Sequence, residues 1–162
     1  MLNGVRSKNL NFDNNIFWGG NHVGVGMNQV MTVGFNNNFV GWIEPRNDLE
    51  AIGMATLDTM GGVLFCSLTY PSACPGLRIT NNICAGAVQQ CFTGPAHDCD
   101  KKNTNFYNNV AHSSSGGFSG NGFTVYPDPS KPSHKECYEV SNNAAYKMAD
   151  AGVFTNFPAK RV

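Results

Sequence analysis

The chain has 162 residues, and eleven Lys plus Arg balance eleven Asp plus Glu. With no net charge and no basic cluster, it lacks the electrostatic footprint of a nucleic-acid or anionic-membrane binder. Charged residues make up only 14% of it while apolar residues reach 41%, a balance that excludes disorder and allows a real core.

No apolar run approaches the length of about 18 residues needed to span a bilayer. The N-terminal stretch MLNGVRSKNLNF lacks the apolar core of a signal peptide. If the chain is extracellular, its signal peptide lies elsewhere, and residues 1–162 are then expected to form a single segment of a larger protein.

Read in chain order, one short pattern recurs: an apolar residue, any residue, Asn-Asn, then apolar or small residues. It opens at Phe12-Asp13-Asn14-Asn15-Ile16-Phe17 and returns at Phe35-Asn36-Asn37-Asn38-Phe39-Val40. Further copies are Ile79-Thr80-Asn81-Asn82-Ile83-Cys84, Phe106-Tyr107-Asn108-Asn109-Val110-Ala111 and Val140-Ser141-Asn142-Asn143-Ala144-Ala145. The second Asn falls at 15, 38, 82, 109 and 143, giving steps of 23, 44, 27 and 34 residues. The 44 reads as two coils of 22, with a degenerate copy near residues 51–65. The two longer late steps read as coils carrying insertions.

A period of this size fits either a leucine-rich repeat or a parallel β-helix. The former needs several Leu in each repeat, which this chain does not have. Asn suits the turns of a β-helix, because it tolerates the left-handed conformation and its side chain bonds local backbone. Asn side chains stacked at equivalent turns can also bond one another along the stack. Glycines following each Asn pair supply the bends between strands. The expectation is therefore an all-β chain, a right-handed parallel β-helix (solenoid) of about six or seven coils with loop insertions. Phe12, Phe35, Ile79, Phe106 and Val140 should stack inside it. Residues Asp48 to Met60 are as compatible with a short helix as with a loop or degenerate coil.

Six cysteines stand at 66, 74, 84, 91, 99 and 137, with no C-x-x-C pair to suggest zinc. The equal spacings Cys66–Cys74 and Cys91–Cys99 each enclose a proline, which points to two local loop staples and an oxidising compartment. The alternative is buried free thiols packed as small apolar residues.

The later copies carry a more specific likeness. GPAHDC (94–99), NFYNNVAHSSSGGFSGNGFTVYPDPS (105–130) and CYEVSNNAAYKMADAGVFTNFPAKRV (137–162) resemble the β-helix region of the fibrocystin and fibrocystin-like family. "NNVAHS" is the most specific phrase. The likeness is good over 94–162, moderate over 78–93 and faint before that. More distantly, the chain is similar to the β-helix of cell-surface hyaluronidases. The resemblance implies a large tethered ectodomain at the cell surface, including the ciliary membrane. Its partners would be neighbouring domains of the same polypeptide, other cell-surface or ciliary proteins, or glycans. No N-x-Ser/Thr sequon is present.

Enzymatic β-helices cleave polysaccharides with paired carboxylates about 5–9.5 Å apart, or with carboxylates around a cation. The best candidates are His97, Asp98, Asp100 and His112, one coil apart. They read more simply as turn residues beside Cys99 and as a neighbour of the Asn stack. Glu44, Asp48, Glu50 and Asp58 show no pairing. No catalytic, cofactor-binding or metal-ligating residue is therefore assigned, and no cofactor is expected. The favoured role is structural or adhesive, with carbohydrate binding or cleavage as the alternative. Trp18 and Trp42 discriminate between these: solvent exposure of both on one sheet favours the glycan reading, and burial of both opposes it.

Overall fold

The computed structural model describes residues 2–3, 8–20, 23–28, 31–44, 61–65, 78–95, 97–98, 106–115, 120–126 and 138–155. The regular elements among them are all strands. A first parallel sheet contains β2 (Lys8–Asp13), β5 (Met31–Asn36), β8 (Arg78–Thr80) and β12 (Phe106–Tyr107), in that spatial order. A second contains β3 (Ile16–Trp18), β6 (Phe39–Ile43), β9 (Ile83–Ala87), β13 (Val110–His112) and β16 (Ala144–Tyr146). The third runs β1 (Leu2–Asn3), β4 (Val23–Asn28), β7 (Gly61–Phe65), β10 (Gln90–Pro95), β14 (Phe123–Tyr126) and β17 (Val153–Thr155). The short strands β11 (His97–Asp98) and β15 (Tyr138–Glu139) pair antiparallel beside them.

The chain visits the first, second and third sheets in rotation, and each pass stacks on the one before. Five passes carry the five Asn-Asn copies, the last entering through a parallel bridge between Tyr107 and Ser141. β1 adds a sixth rung to the third sheet ahead of the first full pass, so the described residues hold five full passes and part of a sixth; the degenerate coil expected between the second and third Asn pairs is absent. β5 pairs directly with β8 and β6 directly with β9, so no coil lies between Asn38 and Asn82. The 44-residue step is one pass carrying a long insertion, much of it outside the described residues. Counting residues alone cannot distinguish an insertion from a second turn.

The corner between the first and second sheets explains the repeat. The first Asn of each pair takes a left-handed backbone: φ is 59° at Asn14, 55° at Asn37, 58° at Asn81, 60° at Asn108 and 52° at Asn142. Asn is among the few residues that enter this region at modest cost. The second Asn turns inward and builds a ladder. Oδ1 of Asn38 accepts from Asn15 N (2.8 Å) and Asn15 Nδ2 (3.0 Å). Asn82 receives Asn38 in the same way (2.9 and 3.1 Å), Asn109 receives Asn82 (3.1 and 3.0 Å), and Asn143 receives Asn109 (2.8 and 3.2 Å). The amide nitrogens also reach back to the preceding pass, as from Asn82 Nδ2 to Phe35 O at 2.8 Å. A buried amide is tolerable only with its partners in place, and these amides have them.

The inward residues form columns. Phe12, Phe35, Ile79 and Phe106 are in register in the first sheet. Phe35, Ile79, Phe106 and Val140 are buried as expected, whereas Phe12, on the first pass, is only partly covered. Phe106 meets Phe92 and Phe123 of the third sheet edge-on, at 6.0 and 5.4 Å between centroids, and so ties two sheets together across the interior.

The third sheet approaches the second most closely where side chains are smallest. A Cβ on Gly62 would lie 2.5 Å from Cys84 Sγ, and one on Gly122 would lie 2.7 Å from Ala145 Cβ. By register Cys91 occupies the rung between these two glycines. There it is disulfide-bonded across the interior to Cys84, with Cα atoms 5.6 Å apart. This overturns the Cys91–Cys99 staple: Cys84 and Cys91 end on facing walls at a distance suited to a disulfide, which equal loop spacing does not reveal. Cys66, Cys74, Cys99 and Cys137 lie outside the described residues.

Candidate functional site

The three sheets differ sharply in their outer faces. That of the first sheet is polar: Asn11, Asp13 and Arg78 are exposed there, with Asn36 and Thr80 half-buried. The third sheet is covered on both sides around β10 and β14, since Thr93 and Thr124 are buried as well as their neighbours Phe92 and Phe123. The second sheet is open and apolar. Alternation along its strands turns Phe17, Val40, Cys84, Ala111 and Ala145 inward. Two outward columns result, Ile16–Phe39–Ile83–Val110–Ala144 and Trp18–Gly41–Ala85–His112–Tyr146. Exposed apolar surface of this extent on a single face is the signature of a contact surface.

Aromatic rings concentrate at two places on that face. Trp18 and Trp42 are 65% and 56% exposed. Their centroids stand 6.1 Å apart with planes 23° from parallel, and Phe39 adds a third ring 6.0 Å from Trp18. Gly41 makes room for this cluster, because a Cβ there would lie 2.6 Å from the Phe39 ring and 2.8 Å from the Trp18 ring. Three passes further along, His112 and Tyr146 lie parallel with centroids 5.0 Å apart. The rung between the two clusters carries Ala85 and Gly86 in line with them, with Ile83 exposed beside these in the other outward column.

The corner that follows this face is a second left-handed column, with φ of 73° at Gly19, 55° at Trp42, 71° at Gly86, 59° at Ser113 and 52° at Lys147. These residues share a conformation but no side-chain type, so the repeat pattern does not reveal them. For glycine the conformation carries little penalty; for Trp42 it costs about 1–2 kcal/mol. A bulky residue held there is an outlier of the kind that gathers at functional sites. Its indole is anchored as well: Trp42 Nε1 donates to Glu44 Oε1 at 2.9 Å.

The acid–histidine candidates are not brought together. His112 ends a strand of the second sheet, ahead of the third. His97 and Asp98 follow β10, at the far end of the third sheet, in register with Glu139 and Tyr138. A traverse of the third sheet, roughly 15–20 Å at 3.3 Å per residue, separates the two places. Asp100, Asp48, Glu50 and Asp58 lie outside the described residues, as does the segment 48–60 with its possible helix. Glu44 is the one carboxylate on the aromatic face itself among the described residues. No three His, Cys, Asp or Glu gather there in a way that would hold a metal, and no described helix is long and apolar enough to cross a membrane. No protein-family model, no curated protein and no solved structure matches the chain.

Proposed function

We propose that the chain is a right-handed parallel β-helix segment of a large cell-surface or secreted protein, working as a rigid scaffold between neighbouring domains. The observation that carries this reading is the Asn ladder, an unbroken file of side-chain hydrogen bonds through all five passes, buried at Asn38, Asn82 and Asn109. A stack locked in this way resists bending. The right hand follows from the general rule that parallel crossovers are right-handed in about 98% of cases. An extracellular setting is supported by the buried Cys84–Cys91 bond, since disulfides persist in oxidising compartments. The fibrocystin-like wording of residues 94–162 points to the same setting and to a ciliary or other cell surface. Surface biotinylation of intact cells expressing the tagged parent protein tests the placement: labelling is expected, and recovery only in the cytosolic fraction would count against it.

A second reading, carbohydrate contact, is favoured by one specific observation: Trp18 and Trp42 both face solvent on the same sheet. Binding of glycans is the form supported. Cleavage has no carboxylate pair to rest on around these rings among the described residues.

A further inference from the structure

We propose that the outer face of the second sheet binds a neutral oligosaccharide strand lying along the stacking axis, with one pyranose ring per pass. The inference rests on the carbohydrate reading and assigns it a site, an orientation and a class of ligand.

Four observations lead to it. The first is the aromatic layout: Trp18, Phe39 and Trp42 at one end, His112 and Tyr146 at the other, and between them a floor of Ala85 and Gly86 flanked by Ile83. This makes a saddle with aromatic walls. The C–H bonds on a pyranose face carry partial positive charge and settle on the negative face of an aromatic ring. With centroids near 6 Å and more than half of each indole open, the ring surfaces are available.

The second is the repeat. Trp18, Gly41, Ala85, His112 and Tyr146 are in register on successive passes. Successive rungs are about 4.8 Å apart, close to the length of one sugar unit in an extended chain. A strand laid along the axis thus meets equivalent positions at equal intervals.

The third is the polar rim. The Glu44 carboxylate holds the Trp42 indole at the edge of the saddle and can accept a sugar hydroxyl. His112, whose Nδ1 lies 3.1 Å from Ser113 Oγ, and the Tyr146 hydroxyl offer further partners. Apolar floors with a few polar groups at the edge are how small ligands are oriented. The face has one carboxylate at one end and one lysine, Lys147, at the other, so its charges cancel and it offers a polyanion no net attraction.

The fourth is the left-handed Trp42, where the column offers glycine at Gly19 and Gly86. A residue that strains the backbone to place an exposed ring fits a binding role better than a packing one.

The test is calorimetric titration of the full chain with neutral β-linked oligosaccharides of two to six units, with hyaluronan oligomers of matched length as the acidic control. Affinity is expected to rise with length up to about five units, the number of rungs from Trp18 to Tyr146, then to level off. Trp18→Ala and Trp42→Ala should each weaken binding roughly tenfold or more, as truncation of an aromatic anchor does. Ala85→Gln, which fills the floor at an outward strand position, should block the longer oligomers. Unchanged thermal melts establish that each variant is folded. Binding that survives all three substitutions would overturn this site while leaving the carbohydrate reading standing. No binding of any oligomer would overturn both. Preference for the hyaluronan series would overturn the neutral class. Reversible self-association abolished by Trp18→Ala, without sugar binding, would make the face an interface between copies and would also overturn the proposal.

Discussion

Asn81 and Asn82 are adjacent in sequence, yet their substitution should have very different consequences. Asn82 is fully buried and sits in the middle of the ladder. Asn82→Ala removes four hydrogen bonds: two accepted from Asn38, one donated to Asn109 Oδ1 and one donated to Phe35 O. Asn38 Nδ2 keeps Phe12 O, and Asn109 Oδ1 keeps the Asn82 backbone N–H. The Asn38 backbone N–H is left with no acceptor in a buried place. A net hydrogen bond is worth about 1 kcal/mol and a buried orphan costs about 1–3 kcal/mol, so three lost bonds and one orphan should cost roughly 4–6 kcal/mol. Asn81 is exposed; its Oδ1 accepts one solvent-exposed bond from Asn108 Nδ2 at 3.0 Å, and its main contribution is its left-handed backbone. Asn81→Ala should cost about 1–2 kcal/mol, and Asn81→Gly less than that. Urea unfolding of the full chain followed by circular dichroism reads these differences directly. Equal losses at the two positions would refute the division of labour within each Asn pair.

Phe106→Ala should cost about 3–5 kcal/mol, because the ring is fully buried between Phe92 and Phe123; a neutral result in the same titration would mean that the first sheet does not face the third. Peptide mass spectrometry without reduction should recover Cys84 linked to Cys91, and a Cys91–Cys99 peptide would contradict the facing-wall placement. Trp42→Gly should leave the chain as stable or raise its stability by up to about 1–2 kcal/mol through relief of the left-handed strain. A clear destabilisation would show that the indole is held for packing.

The columns were legible in the sequence because they have a period. The apolar residue two places before each Asn-Asn identified the inward column of the first sheet, and the second Asn identified the ladder. That Asn14, Asn37, Asn81, Asn108 and Asn142 turn the chain while their successors bond along the stack needed the backbone. The 44-residue step reads as two coils because inserted residues and coil residues count alike along a chain. The second left-handed corner has no shared letter, since Gly19, Trp42, Gly86, Ser113 and Lys147 have only φ in common. The Cys84–Cys91 bond was hidden because it depends on two walls approaching, and glycines in the passes before and after, Gly62 and Gly122, mark that approach. Trp18 and Trp42 were singled out by position alone; which way they faced depended on the side of each strand they occupied.

The most direct test of the stack is a set of nuclear Overhauser contacts between Asn side-chain amides in solution. The account predicts contacts for the pairs 15/38, 38/82, 82/109 and 109/143, with Asn38 touching Asn82 across 44 residues of sequence. Contacts from Asn38 to residues within 51–65, in place of Asn82, would restore the extra coil and contradict it.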